Sequence, residues 1–195
     1  MNTHQKAAHL CISSFIVQIM KKLSLLGVCL VMMIACKDLE KLTEFSMSYS
    51  SNITIPKSTG LDLPVTVPTP DIETNSESEF AVNDTRKDMV EEIFLTGLDM
   101  TITSPDDQTF SFLESIRVYI VAEDLPEIEV AYQENVSVSA GSQLSLETTG
   151  ENLREYIVKD AFNLRVKTVT DEVLSYDTDI KIDSRFFVNA KVLGL

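Results

Sequence analysis

The chain of 195 residues contains no tryptophan, two histidines and three cysteines. Both histidines, His4 and His9, lie near the N-terminus, and Cys36 is the last cysteine. The region after Cys36 therefore has none of these three residue types. Their absence excludes disulfides, Ser-His-Asp triads, Cys-His dyads, histidine-ligated zinc sites and c-type haem attachment from that region. Carboxylate, lysine, tyrosine and hydroxyl chemistry remain.

Basic residues are also scarce. The chain carries 16 lysines and arginines against 30 aspartates and glutamates, a formal net charge of −14. Nucleic-acid binding requires a basic surface that neutralises phosphates, so this balance argues against a nucleic-acid partner. It argues equally against electrostatic attachment to anionic lipid.

Residues 20–36 combine a basic segment, an apolar segment and a cysteine. Lys21 and Lys22 precede thirteen uncharged residues, Leu23–Ala35. This run is shorter than the ~20 apolar residues that span a bilayer and has the length of a signal-peptide core. Met33-Ile34-Ala35-Cys36 places a small residue directly before the cysteine. The segment resembles a bacterial lipoprotein signal peptide of the type cut by signal peptidase II.

The resemblance implies that residues 1–35 are a signal peptide and that the Cys36 sulfur carries acyl chains such as palmitate. Cleavage before Cys36 would leave 160 residues with 13 basic and 30 acidic side chains, a net charge of −17. Each buried methylene contributes ~0.8 kcal/mol, and lasting attachment needs more than one acyl chain. The alternatives are a buried core helix and an ordinary cleaved signal peptide with a chance cysteine.

Residues 36–41 form the predicted lipidated tether. Its Lys37-Asp38-Leu39-Glu40 sequence resembles the export signal of surface lipoproteins in Bacteroidota-type bacteria, although Leu39 interrupts the acidic pair. The resemblance implies an outer-membrane protein displayed on the cell surface. The alternative is the periplasmic face of the same membrane.

Residues 42–195 are predicted to form a single domain. Alternating apolar residues recur in short segments separated by Pro, Gly and acidic turns, which is typical of half-buried strands. We therefore predict an all-β, immunoglobulin-like β-sandwich of about seven to eight strands with one or two short helices. The Cys pair and core Trp of a true immunoglobulin domain are absent.

Local signals refine this layout. Prolines predict an edge strand or extended segment within 58–70, and residues 71–79 read as an exposed loop. Asn83 predicts the start of a short helix reaching about Met89, and Asn152 a second helix over 152–159. Gly97 predicts a β-bulge. Residues 113–132 predict a hairpin with Val130 and Tyr132 on the face of Ile116 and Val118.

Two sets of polar residues are candidate binding sites. Carboxylates that share strand parity or cluster in turns can ligate Ca²⁺, although such residues also form the normal solvated surface of an acidic protein, which is the favoured explanation. They are Asp177, Asp179, Asp183, Glu123, Asp124, Glu127, Glu129, Asp106 and Asp107. An EF-hand is excluded because Ile182 and Val188 occupy its glycine and glutamate positions. Three tyrosines, Tyr119, Tyr132 and Tyr176, could stack on sugars in place of tryptophan, although a tyrosine in a sandwich strand more often serves as half-buried packing.

The sequence thus predicts a lipid-anchored cell-envelope protein with a non-enzymatic binding or structural role and a protein partner on the envelope. The alternative is a Ca²⁺-dependent adhesion or carbohydrate-binding module. No catalytic, metal or cofactor-binding residue is predicted. Cys36 is the only site residue, as the point of lipidation.

Residues 1–19 precede the segment that resembles a signal peptide, so we expect translation to start at Met20; the alternative is an unusually long basic n-region. Peptide mapping of the unprocessed precursor should find Met20 at its N-terminus, because nothing in residues 1–19 is needed for export. Recovery of peptides from the segment between His4 and Gln18 would contradict this expectation.

Overall fold

A computed structural model describes residues 44–57 and 64–191. These residues form nine strands, two short α-helices and two 3₁₀ turns. In chain order they are β1 (Glu44–Ile55), β2 (Pro64–Pro68), β3 (Ile72–Glu73), α1 (Ser76–Val82), a 3₁₀ turn (Lys87–Met89), β4 (Val90–Ser104), a 3₁₀ turn (Phe110–Phe112), β5 (Leu113–Val121), β6 (Ile128–Glu134), β7 (Gln143–Thr148), α2 (Arg154–Ile157), β8 (Ala161–Thr170) and β9 (Thr178–Ala190).

All strand pairings are antiparallel, in the order β1-β9-β4-β7-β6-β5-β8-β2, with β3 also paired to β8. Strand β7 pairs with β4 near Leu146 and with β6 near Thr148, so the sheet folds over at β7. This fold produces two layers, β1-β9-β4 and β6-β5-β8-β2. The predicted all-β sandwich with short helices is confirmed, and β2 is an edge strand as expected.

The two layers meet through apolar side chains of period 2. Every second residue of β8 from Phe162 to Thr170 is buried, as is every second residue of β9 from Thr178 to Ala190. The rings of Tyr49, Phe162 and Phe186 contact one another edge-on, with centroids 5.3–6.0 Å apart. These contacts join β1 and β9 of one layer to β8 of the other.

Gly97 lies at a β-bulge in strand β4. The pairing of β4 with β9 shifts between Leu95 and Gly97, which is the predicted bulge. Because the bulge resets the alternation, Ile93 and Leu95 point into the same core as Leu98, although odd- and even-numbered residues of an unbroken strand face opposite sides. The Arg185 guanidinium lies against Gly97, where a side chain would collide with it.

The first helix was mispredicted. Residues 71–79, expected to be a loop, contain β3 and the start of α1, and Asn83 ends this helix instead of starting one. The fully buried Phe80 packs edge-on against Phe45 at 6.1 Å and fixes α1 upstream of Asn83. Only a 3₁₀ turn, Lys87–Met89, follows.

The second helix exists but is shorter than predicted. It covers only Arg154–Ile157. The Asn152 Oδ1 atom accepts hydrogen bonds from the backbone N–H of Arg154 at 3.1 Å and of Ile93 at 3.2 Å. Asn152 therefore ties the start of the helix to β4, and it lies two residues before the helix begins. Within the described ranges, no helix has the length and apolar character needed to cross a membrane.

Phe186 tests the interlayer contact. Phe186→Ala removes a ring that is 1% exposed and contacts both Tyr49 and Phe162, so we expect a loss of about 3–5 kcal/mol in the free energy of unfolding. Urea denaturation of the purified protein measures this loss in the free energy of unfolding. Phe187→Ala, one residue along on the half-buried outer side of β9, is the matched control and should cost less than half as much. Equal losses would contradict the assigned role of Phe186.

Candidate binding surface

The outer side of β5, β6 and β8 carries aromatic and charged side chains in contact with one another. We call it the tyrosine face, and it comprises Arg117, Tyr119, Glu129, Tyr132, Arg165 and Lys167. In the strand register, Arg117 lies opposite both Tyr132 and Lys167. The alternating burial of β8, and of β5 from Ile116 onward, fixes these orientations, because Val118 and Val166 are fully buried on the opposite side.

A bulge in the β5–β6 hairpin places Tyr132 on this face. The pairing shifts so that Val118 lies opposite Ala131 while Tyr119 lies opposite Glu129, which leaves Val130 as the extra residue. Val130 and Ala131 are both buried, and Tyr132 then faces outward. The predicted hairpin is confirmed, but the placement of Tyr132 on the inner face with Val130 was wrong because the bulge reverses the parity.

One ion-pair group centres on Arg117. Its Nη1 atom donates to Glu129 Oε2 at 2.8 Å, and its Nη2 atom donates to Glu134. The hydrogen bond with Glu129 and the charges of Glu129 and Glu134 raise the pKa of Arg117 above its already high value. The guanidinium is thus held between carboxylates from both ends of β6.

A second group centres on Glu127, the residue before β6. Its carboxylate accepts a hydrogen bond from Lys167 Nζ at 2.7 Å and another from Arg165. The Lys167 ammonium also lies over the Tyr119 ring, 4.0 Å from its centroid, in a cation–π contact. The hydrogen bond from Lys167 is the main cause that lowers the pKa of Glu127, assisted by Arg165.

The two tyrosines stay protonated at neutral pH. The pKa of Tyr132 is raised, chiefly by its hydrogen bond to the Glu147 carboxylate opposite it on β7. Burial is the main cause that raises the pKa of Tyr119, and Glu129 adds to it. Both hydroxyls therefore remain hydrogen-bond donors beside carboxylate acceptors.

The other candidate residues lie apart from this face. Tyr176 is 70% exposed in the loop before β9. Asp179 and Asp183 accept hydrogen bonds from Thr54 and Ser50 of β1 at 2.6 and 2.5 Å, and Asp177 accepts one from the Lys57 backbone. Across residues 44–57 and 64–191, no three Asp, Glu, His or Cys side chains are grouped closely enough to hold a metal ion.

Two open grooves meet at one end of the sandwich, on either side of Asp160 and Ala161, with volumes of about 510 and 620 Å³. Lys87 lies in the first, 3.1 Å from Asp160 and 3.8 Å from Glu77. The three residues place one cation between two carboxylates and offer no aromatic ring.

Cys36, the predicted lipidation site, lies outside the described residues. The cationic members of the tyrosine face, Arg117, Arg165 and Lys167, were not predicted. Alternation of cations with apolar residues along β5 and β8 was the available signal, since it marks the outer side of each strand. Which of them meet depends on the register between strands, which the alternation does not specify.

Comparison with models of protein families gives no match, and neither does comparison with curated proteins. Solved structures give low-scoring likenesses. One is Desmodium yellow mottle tymovirus, with a TM-score of 0.28 and 13% identity over 78% of this chain and 91% of that chain. Another is the cyanophage Pam1 capsid, with a TM-score of 0.37 and 7% identity over 74% of this chain and 86% of that chain. A third is CpGH89CBM32-5 from Clostridium perfringens, in complex with GalNAc-β-1,3-galactose, with a TM-score of 0.32 and 7% identity over 74% of this chain and 97% of that chain. At these values the likenesses do not assign a family.

The lowered pKa of Glu127 gives a prediction about pH. Ionised Glu127 stabilises the fold above the ordinary glutamate pKa of 4.5, and this contribution disappears as the pH falls through the lower folded-state value. Glu127→Gln should therefore lower the free energy of unfolding at pH 7 by about 1 kcal/mol, the scale of surface ion pairs, and have little effect at pH 3. Urea melts at both pH values test this, with the exposed Glu123→Gln of the same turn as control. An equal loss at both pH values would show that the ion pairs are not its cause.

Proposed function

We propose that this protein is a lipid-anchored cell-envelope protein whose β-sandwich has a non-enzymatic binding or structural role. The observation that carries the proposal is the ordered pattern of two lysines, thirteen uncharged residues, Ala35 and Cys36. Only seven residues separate Cys36 from Glu44, the first residue of β1. The acyl chains on Cys36 hold the protein to the outer membrane, and the sandwich extends from this anchor toward its partner.

The charge states on the sandwich support a non-enzymatic role. A general acid or base works best with a pKa near the operating pH. The pKa values on and beside the tyrosine face are shifted away from 7. The pKa of the Glu127 carboxyl is lowered, and the pKa values of Tyr119 and Tyr132 are raised. These groups keep one protonation state near pH 7, which suits binding better than proton transfer.

The Lys37-Asp38-Leu39-Glu40 segment supports display on the outer face of the outer membrane. A strongly acidic domain gains little from contact with an anionic membrane surface, so the lipid must provide the attachment. Display at the surface would leave the sandwich open to protein partners on the envelope. The same tether on the periplasmic face is the alternative location.

A carbohydrate-binding module is the second candidate. The observation that favours it is the tyrosine face, where two tyrosines lie among paired arginine, lysine and glutamate side chains. A Ca²⁺-dependent version finds less support, because Glu127 and Glu129 are bound by cations of this face. A melting temperature that does not respond to millimolar Ca²⁺ or EDTA would exclude the Ca²⁺-dependent version.

Cys36→Ser tests the anchor. The variant lacks the lipid acceptor, so we expect it in the soluble periplasmic fraction or as uncut precursor, with the melting profile of the sandwich unchanged. Fractionation, detergent partitioning and labelling with a fatty-acid analogue measure this. Cys29→Ser, within the apolar segment, is the matched control and should remain labelled and membrane-bound. Cleaved Cys36→Ser protein that stayed in the membrane would place the anchor elsewhere.

A further inference from the structure

The tyrosine face is close to charge-balanced, although the chain as a whole carries −14. Its three cations are Arg117, Arg165 and Lys167, and the four carboxylates that border them are Glu127, Glu129, Glu134 and Glu147. A cationic ligand would have to displace arginine or lysine from these carboxylates. An anionic ligand would be repelled by the remainder of the acidic protein. The charge pattern therefore favours a neutral ligand.

On this face the cationic hydrogen-bond donors lie toward β8 and β5 and the carboxylate acceptors toward β6 and β7, with a tyrosine between them. The strand register gives one row of Lys167, Arg117, Tyr132 and Glu147, and a second row of Arg165, Tyr119 and Glu129. Neighbouring strands lie about 4.8 Å apart, so the first row crosses four strands over roughly 14 Å. A ligand with many hydroxyl groups suits this row, since each hydroxyl both donates to a carboxylate and accepts from a cation.

Tyr132 supplies the apolar contact. One side of the Tyr119 ring is covered by the Lys167 ammonium at 4.0 Å. Among the described residues, the Tyr132 ring takes part in neither an aromatic pair nor a cation–π contact. Glu147 lies opposite Tyr132 on β7, and its carboxylate raises the pKa of the Tyr132 hydroxyl. A half-exposed, positioned ring without a stacking partner offers its π-face to the C–H side of a sugar.

We propose that the tyrosine face binds neutral oligosaccharide or polysaccharide chains lying along the row from Lys167 to Glu147, with Tyr132 as the stacking platform. The ligand is polyhydroxylated and uncharged, and its ring hydroxyls are shared between the Arg117 guanidinium and the flanking carboxylates. This inference deepens the second candidate function and rests on the binding role proposed above. It does not depend on the position of the lipid anchor.

Affinity electrophoresis of the purified lipoprotein in detergent tests the proposal. The probes are neutral galactomannan, xyloglucan, mannan and laminarin, with acidic polygalacturonate for comparison. We expect at least one neutral polysaccharide to retard the wild-type protein and polygalacturonate not to. Tyr132→Ala should weaken that binding about tenfold, the effect of losing roughly 1.4 kcal/mol of stacking.

Two control variants separate stacking from other effects. Tyr132→Phe keeps the ring and loses the hydroxyl, so it should retain most of the binding. Tyr176→Ala removes an exposed tyrosine away from the face and should bind as the wild type does. Wild-type protein that no neutral polysaccharide retards, or binding that Tyr132→Ala leaves intact, overturns the proposal. Membrane attachment, measured with Cys36→Ser, tests the anchor independently of either result.

Discussion

The packing of three aromatic rings between the two layers is the constraint on which the rest of the structure depends. Tyr49, Phe162 and Phe186 come from three strands and meet edge-on. The Tyr49 hydroxyl donates to the Thr74 carbonyl at 2.9 Å, and burial raises its pKa further above neutral, so it remains a donor. Once Phe162 points inward, the alternation of β8 requires Lys167 to point outward. The core therefore determines the orientation of the outer face.

Strands with uninterrupted alternation could be predicted from the sequence. β8 and β9 follow period 2 throughout, and their buried residues are those that the pattern indicates. Prediction failed where one extra residue changes the parity. The Gly97 bulge was visible because glycine marks such positions, whereas the bulge at Val130 has no marker residue and moved Tyr132 to the opposite face.

The positions of the helices were mispredicted for a different reason. Capping residues such as Asn83 are also common at helix ends, so the direction of the signal is ambiguous. The buried Phe80 decides the position of α1, and its contact with Phe45 joins residues that are far apart in sequence. The tyrosine face was missed as a unit for the same reason. Lys167, Arg117 and Tyr132 come from three strands, and only the register brings them together.

The pairing of β1 with β9 has a mechanical consequence. Twelve consecutive residue pairs join the two strands, from Glu44 opposite Asn189 to Ile55 opposite Thr178. A pull on the chain ahead of Glu44, directed along β1 and resisted by the sandwich, stretches the antiparallel hydrogen bonds of this ladder in parallel. The load is then divided over the length of the strand, and the sandwich resists shear without opening pair by pair. An edge strand that enters the fold in this geometry is suited to carrying tension.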